Sequence, residues 1–130
     1  MSTPIWVLRQ TVLAIHNRQL AEHGGPPGLR DEGLLDSALA RPENLLVYSD
    51  IKPSIERLAA AYAYGIIRNH PFVDGNKRVA YVVCLLFLKL NGRSIKLSDL
   101  EKYNAFMALA DGGMTEEAFA QFLLSKSFPN

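Results

Sequence analysis

The 130-residue chain contains a single cysteine, Cys84, which lies within an apolar stretch. A disulfide within the chain and a zinc site built on several cysteines are therefore excluded, and we expect Cys84 to be a small core residue. Lysine and arginine outnumber aspartate and glutamate by one, so the chain lacks the basic excess of a nucleic-acid binder. The longest apolar run, residues 79–88, is too short to span a membrane. The first residues do not resemble a signal peptide, and we expect a cytoplasmic protein.

Apolar residues recur mainly at helical spacing, and signals for strands are weak. We therefore predict an all-α fold: one domain over residues 1–130, a compact bundle of about six helices around a central buried helix. The fourth helix is apolar nearly all round, which favours it as the central one. A short extended piece is predicted at 93–97. The predicted helices are 4–22, 31–40, 54–70, 76–91, 98–112 and one that begins at Thr115.

Pro42 is predicted to end the second helix, because proline removes a backbone donor and clashes with the preceding turn. The segment 42–53 then forms an irregular loop in this interpretation. It carries apolar residues at 45–48 that are expected to be exposed.

Chemistry-bearing residues gather where the fourth helix is predicted to begin. A helix start presents unpaired N–H groups and a partial positive charge, both of which favour an anion. Gly75 permits close approach of a ligand, Asn76 adds an amide, and Lys77 and Arg78 add positive charge. Phosphate is the expected anion.

Two further groups lie beside this predicted phosphate site. His70, at the end of the preceding helix, is suited to take a proton near neutral pH. Asp74 offers hard oxygen ligands for Mg²⁺. Together these groups supply what phosphoryl transfer to a hydroxyl needs. Structural roles stay open, since His70, Asp74 and Asn76 could each serve as a helix cap, and the cations could form a solvated turn.

The nine residues from His70 to Arg78, HPFVDGNKR, resemble the signature of the Fic/Doc family, H-x-F-x-[D/E]-[G/A]-N-[G/K]-R. The glycine-rich segment 23–33 and the order of the helices resemble death-on-curing (Doc) toxins more than the longer Fic proteins. The resemblance implies a Fic/Doc-like fold over most of the chain.

The resemblance also implies a role for each motif residue. His70 would be the general base that deprotonates the target hydroxyl, and Asp74 would hold Mg²⁺. Phe72 would anchor the loop, and the segment 45–48 would correspond to a flap that aligns the target by strand-like pairing. The residues implied to bind the phosphates of ATP are Gly75, Asn76, Lys77 and Arg78.

Two residues favour one of the family's reactions. Lys77 and Tyr81 resemble Doc, which implies transfer of the γ-phosphate of ATP to a threonine of elongation factor Tu and an arrest of translation. Pro71 and Gly75 resemble Fic, so transfer of AMP or another nucleotide stays open, as does a catalytically silent nucleotide-binding module.

The inhibitory motif of many Fic proteins, [S/T]-x-x-x-E-[G/N], is absent from the sequence. The resemblance to Doc then implies a separate, Phd-like antitoxin whose disordered tail folds on binding. We expect no direct nucleic-acid partner and no membrane partner.

Overall fold

Six α-helices and one pair of short strands make up the computed structural model, which describes residues 3–130. The strands are antiparallel, with Ser94 opposite Phe128. The elements are α1 (Arg9–His23), α2 (Glu32–Tyr48), α3 (Ile55–Asn69), α4 (Asn76–Leu90), β1 (Arg93–Ile95), α5 (Asp99–Asp111), α6 (Glu116–Lys126) and β2 (Ser127–Pro129). The predicted all-α bundle is confirmed, and β1 lies within the predicted extended piece. In the described part of the chain, no helix has the length and apolar character needed to cross a membrane.

Four helices have side-chain caps at the residues where the helices were predicted to begin. Asp31, Ser54 and Thr115 each accept a hydrogen bond from the backbone N–H three residues ahead. Ser98 and Glu101 form a capping box at the start of α5. These short-range contacts satisfy N–H groups that the helices leave unpaired, which explains why the local sequence fixes the starts.

The centre of the bundle is α3, which packs against α2, α4, α5 and α6. Its residues 58–63 are all buried, so every side of this helix meets protein. Gly65 allows a close crossing with α2, because a Cβ there would lie 3.1 Å from the carbonyl oxygen of Ala38. The choice of α4 as the central helix was therefore wrong. That helix is apolar because it is the second inner helix, packed against α1, α3 and α5.

The first helix begins at Arg9 rather than near residue 4. Long-range hydrogen bonds hold the preceding segment in a non-helical conformation. The Asn91 side chain accepts from the N–H of Ile5 at 2.7 Å and donates to its carbonyl at 2.9 Å. The Val7 N–H donates to the Tyr62 hydroxyl at 3.1 Å. Contacts of this kind override helical spacing and leave no mark on the local sequence.

The second helix continues through Pro42 and ends at Tyr48, so the predicted stop and the predicted loop over 42–48 were wrong. Pro42 is buried, and Leu45 and Leu46 beyond it pack against the core. Burial of this face offsets the hydrogen bond that proline removes. The predicted exposure holds for Val47 and Tyr48, which are 70% and 81% exposed.

Candidate active site

The motif residues form the loop between α3 and α4 together with the helix ends on either side. His70 is the C-terminal cap of α3 and has a left-handed backbone, with φ 52° and ψ 56°. For a residue other than glycine this conformation costs about 1–2 kcal/mol. The residue is exposed. A strained residue of this kind persists where its surroundings over-determine its conformation.

Asn76 closes the loop from the inside. Its side-chain oxygen accepts from the Phe72 N–H and its amide nitrogen donates to the Phe72 carbonyl, both at 2.9 Å. Asn76 is 4% exposed and Phe72 is fully buried. The expected role of Phe72 as the loop's anchor is thus confirmed. The role of Asn76 in an anion site stays a prediction. Both polar atoms of its side chain are bonded to Phe72, so only its backbone N–H is free to contribute to such a site.

A second side chain, His16 on α1, supports the same loop. Its ring stacks on Phe72, with the centroids 3.9 Å apart and an interplanar angle of 15°. Its Nε2–H donates to the carbonyl of Asp74 at 2.9 Å, and the residue is buried. His16 was not among the predicted site residues. The available signal was its position four residues after Val12, on the apolar face of the predicted first helix.

The start of α4 has no side-chain cap. Gly75 takes the N-cap position with φ 83°, in the left-handed region that glycine adopts at little cost. The first helical hydrogen bond is made by the Val79 N–H, so those of Asn76, Lys77 and Arg78 have no partner within the helix. The Lys77 and Arg78 side chains are exposed and form no ion pair with the described residues. Free donors and uncompensated cations at one helix start are suited to bind an anion.

The carboxylate of Asp74 lies at the rim of this site, against the glycine-rich segment after α1. A Cβ on Gly25 would come within 2.4 Å of the Asp74 Oδ2 atom. Among the described residues, no cluster of three or more His, Cys, Asp or Glu side chains could hold a metal by itself. A single exposed carboxylate beside a predicted phosphate site does suit Mg²⁺, which commonly takes its other ligands from water and from substrate phosphates.

Residues 28–31 pair with the motif loop through extended backbone. The Val73 N–H donates to the Gly28 carbonyl at 3.1 Å, and the Arg30 N–H donates to the Pro71 carbonyl at 2.7 Å. An isolated antiparallel bridge joins Leu29 to Phe72. The flap expected at 45–48 is instead the last turn of α2, which cannot offer strand-like pairing because its backbone bonds are helical.

A groove of about 540 Å³ lies between α1, α4 and α5, directly beside the cations. Its apolar lining includes Tyr81, Tyr103 and Phe106, and Lys77 and Arg78 stand at its wall. Tyr81 packs edge-on against Phe106, with the ring centroids 5.1 Å apart. Burial, with a smaller effect of a nearby carboxylate, raises the pKa of Tyr81. The phenol is therefore neutral at physiological pH.

Comparison with known proteins agrees with this geometry. A model of the Fic/Doc family matches residues 6–88, which is more than half of the chain and includes the whole motif loop. The chain therefore belongs to the Fic/Doc family.

Two curated relatives are informative. Toxin Doc of Mycolicibacterium smegmatis is 45% identical over 69 residues, which cover 53% of each chain. Protein kinase doc of Escherichia phage P1 is 33% identical over 95 residues, 70% of this chain and 75% of that protein. The match thus spans about half the length of the mycobacterial relative and three quarters of the phage protein.

Proposed function

We propose that this protein is the toxin of a toxin–antitoxin module and a protein kinase. In this proposal it transfers the γ-phosphate of ATP to a threonine hydroxyl of a translation factor such as elongation factor Tu, and translation stops. The observation that carries the proposal is the motif loop. This short segment contains His70, Asp74 and the uncapped start of α4. The buried side chains of Asn76 and His16 fix its conformation through hydrogen bonds to the loop backbone.

The two ends of the loop have different roles in the proposed reaction. His70 accepts the proton of the target hydroxyl while the oxygen of that hydroxyl forms a bond to the γ-phosphorus. The bond from that phosphorus to the β–γ bridging oxygen breaks, and ADP leaves with the electron pair. The N–H groups at the start of α4, with Lys77 and Arg78, stabilise the negative charge on the phosphates. Bound Mg²⁺, held by Asp74, would neutralise further phosphate charge.

Two side chains favour phosphate transfer over nucleotide transfer. Lys77 places a cation on the first turn of α4, where its bulk would crowd a pocket for the α-phosphate. Tyr81 stands one turn further on, where Fic-type nucleotidyltransferases have a second arginine, and its ring is fixed against Phe106. The relative named a protein kinase supports the same choice. Transfer of AMP or another nucleotide is the second candidate, because Pro71 and Gly75 match the Fic form of the motif.

A toxin of this kind requires an inhibitor, and we propose a Phd-like antitoxin. The relative named Toxin Doc supports a toxin's role for this chain. The inhibitory motif of many Fic proteins is absent from the sequence, so inhibition would come from a second protein. A disordered tail that folds on binding suits this partner, because such segments can wrap a large surface and still be released.

A cell-free translation assay tests the proposal. Purified protein added with ATP and Mg²⁺ is expected to stop incorporation of labelled amino acid. His70→Ala, shown by circular dichroism to fold like the wild type, is expected to leave incorporation unchanged because the general base is missing. A folded His70→Ala protein that still stops translation would contradict the catalytic account. Wild-type protein with no effect would contradict the proposed toxin function itself.

A further inference from the structure

The backbone of His70 needs an external constraint. Within residues 3–130 it is the only residue other than glycine with a positive φ. Glycine usually occupies this position after a helix, because a side chain there crowds the backbone. The Asn76 and His16 side chains form their hydrogen bonds with Phe72 and Asp74, further along the loop, and not with His70.

Arg30 provides that constraint. Its Nε–H donates to the carbonyl of His70 at 2.7 Å, and its Nη2–H donates to the carbonyl of Asn69 at 2.8 Å. Its own backbone N–H donates to the next carbonyl in the chain, that of Pro71, at 2.7 Å. One residue therefore binds three successive carbonyls at the end of α3. The positive charge also suits this helix end, where the dipole is negative.

We propose that Arg30 is a positioning residue for the proposed reaction: its guanidinium holds the His70 backbone left-handed and so aims the imidazole at the target hydroxyl. The inference rests on the proposed function, in which His70 is the base. The rigid planar fork of arginine suits two adjacent carbonyls, whereas lysine offers a single compact charge. Because Arg30 belongs to the segment that pairs with the motif loop, it ties the orientation of the base to that segment.

The contacts of Arg30 indicate that its side chain can be removed without unfolding the protein. Its side chain is exposed and forms no ion pair with the described residues. Removing the guanidinium leaves the core, the Asn76 contacts and the backbone bond to Pro71 in place. The anion site lies at the other end of the loop, on α4, so nucleotide binding should be preserved. The expected defect is in the orientation of His70 alone.

The test compares Arg30→Ala and Arg30→Lys with Arg68→Ala, measured in phosphotransfer assays on the full chain. Arg68 is the matched control, because it is an exposed arginine on the last turn of α3 that makes no side-chain hydrogen bond to the described residues. Small misplacements of a catalytic group can lower rates by up to about 100-fold. We expect kcat to fall about 10- to 100-fold in Arg30→Ala, less in Arg30→Lys, and not at all in Arg68→Ala. The KM for ATP should stay within about twofold, since the phosphate contacts are untouched.

Two further measurements distinguish positioning from a structural role. Ethylguanidinium, which can fill the space left in Arg30→Ala, is expected to restore part of kcat and to leave Arg30→Lys unaffected. NMR of the three histidine rings, with His70 assigned from His70→Ala, reports on the base without any substrate. The His70 signals should move in Arg30→Ala and stay in place in Arg68→Ala.

The outcomes separate this inference from the proposed function. Wild-type protein that transfers no group at all would defeat the proposed function, and the NMR comparison would still decide whether Arg30 holds His70. Unchanged His70 signals in folded Arg30→Ala would overturn the inference. An unchanged kcat, or a loss of kcat that only follows a loss of folded protein, would also overturn it.

Discussion

Replacing Asn76 by alanine would remove two hydrogen bonds to one buried residue. The N–H and carbonyl of Phe72 both depend on the Asn76 side chain, at 2.9 Å each, and Phe72 is fully buried. A buried polar group left without a partner costs about 1–3 kcal/mol, so the pair gives a loss of about 2–6 kcal/mol. That is a large part of the roughly 5–15 kcal/mol that stabilises a typical domain.

Urea denaturation, followed by the fluorescence of the single tryptophan, measures this loss. Trp6 stacks on Phe87 in the core, with the ring centroids 5.8 Å apart, so its emission should report unfolding. Asn104→Ala is the matched control, because Asn104 is exposed on α5 and its side chain makes no hydrogen bond to the described residues. We expect a much lower urea midpoint for Asn76→Ala and an unchanged midpoint for the control.

Asn76→Asp sharpens the test. An aspartate can still accept from the Phe72 N–H, but its second oxygen would face the Phe72 carbonyl. Ionised, it sets two acceptors against each other in a buried place, which is unfavourable. Protonated, it can donate as the amide does. The stability of this variant relative to the wild type should therefore improve as the pH falls. Equal urea midpoints for wild type, Asn76→Ala and Asn76→Asp would refute the proposed loop closure.

Gly25→Ala should weaken Mg²⁺-dependent nucleotide binding in calorimetry, because its Cβ would lie 2.4 Å from the Asp74 Oδ2 atom. Burial raises the pKa of Tyr62 to about 12. The phenol therefore loses its proton at lower pH in the unfolded chain than in the folded one. As the pH rises above about 10, the free energy of unfolding of the wild type should fall by about 1.4 kcal/mol per pH unit relative to that of Tyr62→Phe, measured in urea titrations. The buried Glu116 carboxylate forms ion pairs with Arg41 and Arg57. Glu116→Ala should lower the free energy of unfolding by about 2–3 kcal/mol in the same assay, and not by more, because the partly exposed arginines can be rehydrated.

A specific result would contradict each of these three predictions. Gly25→Ala with wild-type affinity for nucleotide in Mg²⁺ would show that the Asp74 carboxylate does not need its present position. A constant difference between wild type and Tyr62→Phe from pH 9 to 11.5 would show that the phenol ionises as readily in the folded state. Glu117→Ala is the control for Glu116→Ala, because Glu117 is an exposed neighbour on the same turn. Equal losses in the two variants would contradict a special role for the buried carboxylate.

The sequence predicted best those features that short stretches of chain decide. Caps such as Ser54 and Ser98 act within three residues, and the apolar spacing of α3 and α4 reflects burial along a single helix. The predictions failed for the start of α1 at Arg9, for the course of α2 at Pro42 and for the choice of the central helix. These features depend on partners far away in the chain, such as Asn91, or on burial of a face whose neighbour cannot be known in advance.

The candidate site shows the same division. The motif residues from His70 to Arg78 could be recognised together because they are adjacent in sequence. The residues that hold them, His16 and Arg30, are distant along the chain, and only the fold brings them to the loop. Asn76 was singled out for an anion site, which stays a prediction. Its contacts with Phe72 depend on how the loop turns, which its residue type does not specify.

Transfer of the γ-phosphate can be tested by following a radioactive label from ATP to the target protein. Purified protein and Mg²⁺ are incubated with elongation factor Tu and ATP that carries the label either at the γ- or at the α-phosphate, with His70→Ala as the control. We expect label on the target from γ-labelled ATP alone, on a threonine, and none with His70→Ala. Label from α-labelled ATP would contradict transfer of the γ-phosphate, and would show that this chain transfers a nucleotide despite Lys77 and Tyr81.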